Sequence, residues 1–63
     1  MNVTEAIELV GRWPQDRTVP SRLNKAVQAA KGVERQQLGM MFEALMAASE
    51  TQADFELVRK YAF

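Results

Sequence analysis

The chain has 63 residues, 48% of them hydrophobic, with eight basic and eight acidic side chains, a formal net charge of zero, and neither cysteine nor histidine. That length gives one domain, residues 1–63, near the lower limit at which a chain buries enough surface to fold without a metal or a disulfide. The missing thiols and imidazoles exclude a disulfide framework, a cysteine nucleophile, a zinc finger and an imidazole base, and zero net charge removes any global attraction to nucleic acid or anionic lipid.

In the first segment Val3, Ala6, Ile7, Val10 and Trp13 recur at the three-and-four spacing of an amphipathic helix. Asn2 or Thr4 is available to cap it, and Glu5 is favourably placed in its first turn. The opening "MNVTEAIELVGRW" has acids where a secretory signal would be basic, and no apolar run approaches the roughly 20 residues of a membrane helix. A soluble, cytoplasmic chain with no membrane partner is expected.

The helix must stop near Arg12, because Pro14 disfavours the helical conformation at Trp13 and has no amide to donate. The stretch "GRWPQDRTVP" then carries both prolines, the only tryptophan and two arginines. It divides into two expected jobs: Trp13 folds back onto the core as an aromatic anchor, while Arg12 and Arg17 face solvent and offer a contact surface.

Pro20 suits a first helical position, so a second helix is predicted from there, with Leu23, Ala26, Val27 and Ala30 as its apolar stripe and Gly32 as a left-handed terminator. Arg22 and Lys25 extend a basic region. From Arg12 to Arg35 lie Arg12, Arg17, Arg22, Lys25, Lys31 and Arg35 against only Asp16 and Glu34.

The third segment, about Val33 to Ser49, sets Leu38, Met41, Phe42, Leu45 and Ala48 on one face. Met40, Ala44 and Ala47 make a second apolar stripe on the opposite side, which a central position in the fold, a second copy or a partner would cover. The stretch "VQAAKGVERQQLGMMF" partly matches a DNA-reading helix-turn-helix, with Gly32, Val33, Leu38 and Met41 where that motif wants a turn glycine and buried apolar residues. It departs at Gln28, where a small residue is needed, and at Lys31. In this alternative, Arg22, Lys25, Lys31, Arg35, Gln36 and Gln37 would contact DNA, with Glu34 and Glu43 opposing phosphate.

Thr51 and Asp54 form a capping pattern for a fourth helix, with Phe55, Val58, Tyr61 and Ala62 inward and Arg59 and Lys60 suited to its C-terminal end. Carboxylate pairs such as Glu50 with Asp54 have no complementary base or nucleophile beside them, and glycines 11, 32 and 39 are too scattered for a phosphate loop. The expectation is an all-α compact bundle of three to four short helices, with no catalysis, metal or cofactor. It would act through protein–protein contacts, after the manner of the small regulators and inhibitors of phages and mobile elements. Candidate contacts are Arg12, Arg17, Arg22, Lys25, Met40, Ala44 and Ala47.

Overall fold

In a computed structural model that describes residues 1–62, the chain forms four helices: α1 (Val3–Val10), α2 (Val19–Ala29), α3 (Gly32–Ala48) and α4 (Gln52–Tyr61). No strand occurs among the described residues. α3 is the longest element and the hub, since α1, α2 and α4 all pack against it, and α2 also meets α1 and α4.

α1 and α4 start where side-chain caps satisfy their free amides, whereas Thr18 before α2 and Lys31 before α3 give no side-chain cap. Asn2 caps α1: its side chain accepts from the Glu5 amide at 2.8 Å, and Glu5 reaches back to the Asn2 amide. Before α2, the Asp16 carboxylate accepts from both the hydroxyl and the amide of Thr18, at 2.6 and 2.9 Å. Those bonds, the hydroxyl's first, hold the Asp16 carboxyl below its ordinary value. Pro20 sits in the second helical position, where its missing amide costs nothing.

Gly32 does adopt the left-handed conformation, at φ 61°, but α2 has already ended at Ala29, and Ala30 and Lys31 are extended. The glycine is therefore the first residue of α3 and aims its start, while Ala30 closes α2 through its amide to Ala26 and Val27.

One core joins the helices: Ala6 and Leu9 of α1, Trp13, Val19, Leu23 and Val27 of α2, Ala30, Leu38, Phe42 and Leu45 of α3, and Val58 of α4. Met41 and Tyr61 pack partly buried at its edge. Two inward assignments are corrected. Ile7 is 60% exposed and Leu9 takes its place, because the α1 face that reaches the core is Ala6 and Leu9 with Val10 beside them, a rotation of about one residue in a helix of two turns. Ala48 is exposed because it ends α3, beyond the point where Leu45 and the Trp13 indole close the core.

Asn24, on α2, donates through its side-chain amide to the Tyr61 carbonyl at 2.8 Å, which fixes the end of α4 against α2. No buried side-chain nitrogen or oxygen among the described residues lacks a hydrogen-bond partner.

Candidate functional site

The connection between α1 and α2 folds inward around Trp13, which is 3% exposed. Its indole N–H is shared between the Leu45 carbonyl at 3.1 Å and the Ser49 hydroxyl oxygen at 3.2 Å, and the Ser49 hydroxyl donates to the same carbonyl at 2.8 Å. The anchor expected of Trp13 is present, and it grips the C-terminal end of α3.

Arg17 is where the structure departs most from the sequence expectation. Its guanidinium lies over the Trp13 ring, 4.7 Å from the centroid, donates to the Pro14 carbonyl at 3.3 Å and forms an ion pair with Asp54. Asp54, only 5% exposed, also accepts from the Glu50 and Thr51 amides at 2.8 and 3.1 Å. Its amide donates to the Thr51 hydroxyl, so one aspartate both closes the α4 capping box and holds the loop arginine. Arg17 first, then the Glu50 amide, pull its carboxyl from the ordinary 3.8 down to about 2. With its side chain 46% exposed, Arg17 is a brace between loop and helix rather than a free contact group. Reversing its charge would set it against a carboxylate that has little access to water.

The remaining basic candidates do not form a bare positive surface. Arg12 and Arg22 line a shallow depression together with Glu5, Glu8, Leu9 and Met1, and both also stand near Asp16. Lys25 lies exposed on α2. Lys31, Arg35, Gln36 and Gln37 are exposed around the start of α3, and so are Glu34 and Val33. A helix-turn-helix needs the residue after its turn glycine buried, and here Val33 is 67% exposed.

What the fold does leave uncovered is the second face of α3. Met40 is 66% exposed, and Ala44 and Ala47 are exposed with it. Val33, seven residues before Met40, extends the same stripe to the start of the helix. The sequence signal was its spacing of seven from Met40, masked by the neighbouring glycine, which suggested a turn. An open, mostly apolar groove lined by Val27, Gly32, Arg35, Gln36 and Gly39 borders this face on the α2 side.

The fold and this face define a small all-α bundle organised around one two-faced central helix. No family model matches the chain, and no curated protein or solved structure does.

Proposed function

We propose that the protein is a non-catalytic binding module that acts on another macromolecule through protein–protein contacts, with the outward face of α3 as its contact surface. The observation that carries this reading is the exposure of Val33 and Met40 on one face of the helix whose other face, Leu38, Phe42 and Leu45, anchors the core. Large apolar groups left together in water favour association, since covering them removes apolar surface from solvent. The small side chains of Ala44 and Ala47 let another helix approach closely along the same line. Regulation or inhibition of a host component, as by small proteins of phages and other mobile elements, is the kind of role this architecture suits. Arg12 and Arg22, in the depression with Glu5 and Glu8, and the exposed Lys25 would add charge that steers encounter.

Affinity capture with the wild-type protein and with Met40→Glu, each with and without nuclease, tests the reading. The expected result is a set of nuclease-resistant protein partners that the wild type retains and Met40→Glu loses while circular dichroism shows both equally helical. Outright unfolding of Met40→Glu would make Met40 core, and an identical set of partners on both proteins would remove α3 from the contact.

A further inference from the structure

The outward face of α3 is complementary to its own two-fold image, and we propose that in the free protein its occupant is a second copy of this chain, paired antiparallel about Met40 and displaced when another macromolecule takes the face; the inference rests on the α3 reading above. At 100° per residue, Val33, Met40 and Ala47 fall within about 20° of one line along the helix. Gln36 and Glu43 flank that line on one side, and Gln37 and Ala44 on the other. All of these side chains are exposed.

A two-fold axis perpendicular to α3 at Met40 sets Val33 opposite the partner's Ala47, and Gln37 opposite the partner's Ala44. Large meets small at each point, as close helix packing requires. The same axis sets Gln36 opposite the partner's Glu43, an amide donor facing a carboxylate, twice over by symmetry. At the centre Met40 meets the partner's Met40, two unbranched thioethers that can adjust to one another.

The parallel alternative is worse on both counts. It stacks Ala47 on the partner's Ala47, leaving a gap at one end, and sets the Gln36 and Glu43 side of one helix beside the Gln37 and Ala44 side of the other, so that Glu43 faces the partner's Ala44 and gains no donor. Antiparallel pairing also aligns the helix dipoles head to tail, and a net charge of zero leaves no long-range repulsion between copies.

The seam is long for so small a molecule. α3 has 17 residues, about 25 Å of helix, on a body whose longest dimension is 32 Å. A helix pair in contact over four turns covers on the order of 1,000 Å² in all, at the low end for a specific interface, which suits a reversible dimer.

Sedimentation velocity over a concentration series, together with cysteine cross-linking, tests this on the full chain, whose lack of native cysteine makes single-cysteine variants clean. Wild type should shift from monomer to dimer with concentration. Met40→Glu should raise the dissociation constant by at least about tenfold, by burying a pair of like charges, and Gln36→Lys should lower it several-fold by facing Glu43. Val33→Cys should cross-link to Ala47→Cys in a mixture but not to itself. A wild type that stays monomeric at every concentration overturns the second copy while leaving the face open to a different partner. Self-cross-linking of Val33→Cys, or weakening by Gln36→Lys, overturns the antiparallel register. A dimer unaffected by Met40→Glu overturns this proposal by placing the seam elsewhere, and an unfolded Met40→Glu overturns it along with the contact-surface reading itself.

Discussion

Asp54 shows how much one short side chain can connect. Its carboxylate takes the Glu50 and Thr51 amides at the start of α4 and the guanidinium that lies over Trp13, so the cap of one helix and the anchor of a distant loop share a single charge. A glutamate would satisfy the cap, but its longer stem would move the carboxylate away from the position where Arg17 meets it. Because the folded-state carboxyl titrates near 2, below its ordinary 3.8, the stability it confers is complete above about pH 4 and is lost as pH falls toward 2. Asp16, also held below its ordinary value, adds in the same direction. Urea denaturation followed by circular dichroism between pH 5 and pH 2 should therefore show a smaller loss of stability for Asp54→Asn than for wild type. Arg17→Gln should likewise show a smaller loss, complete at a higher pH than in wild type, because removing the cation returns the carboxyl toward its ordinary range. Equal pH dependence for Asp54→Asn and wild type would mean that the brace does not couple to folding. Arg17→Glu is expected to lower the Tm by several degrees, because the reversed charge would face the Asp54 carboxylate.

At the scale of the element, the turn between α2 and α3 rests on Gly32. An added Cβ there would meet no atom within 4 Å, so the glycine is required by its φ of 61° and not by crowding. Gly32→Ala should cost about 1 to 2 kcal/mol through backbone conformation alone, a fall of roughly 4 to 16 °C in Tm for a domain of this size. An unchanged or raised Tm would show that the start of α3 can be rebuilt without the left-handed residue. The same element explains why α3 has apolar residues all round. Leu38, Phe42 and Leu45 belong to the core that α1, α2 and α4 complete around α3, while Val33, Met40, Ala44 and Ala47 stay exposed. Such a helix is stabilised from one side and offers the other.

For the molecule as a whole, the balance of charge bears on the choice between a protein and a nucleic-acid partner. The basic residues from Arg12 to Arg35 looked like a stripe in the sequence, but the fold sets Glu5, Glu8 and Asp16 among Arg12 and Arg22, and commits Arg17 to Asp54. Phosphate binding needs several uncompensated cations acting together, each contributing about one power of salt dependence. Fluorescence anisotropy with a labelled duplex should therefore show weak binding, insensitive to sequence and lost at physiological salt. Retention of one duplex sequence at that salt, abolished by Arg35→Ala or Gln36→Ala, would instead establish the start of α3 as a DNA-reading element.

The sequence by itself determined the four helices, the capping of α4 by Thr51 and Asp54, the burial of Trp13 and the second apolar stripe on α3, because each depends on residues within a few positions of one another. Periodicity, proline and capping chemistry are local, and local chemistry is written in order along the chain. Only the tertiary structure decided that Leu9 rather than Ile7 enters the core, that Val33 joins Met40 on the open face, and that Arg17 spends its charge on Asp54. Those outcomes turn on partners up to 37 residues apart and on the rotation of a two-turn helix about its axis. Nothing in the spacing of a segment records which distant carboxylate the fold will carry to within reach of its arginine.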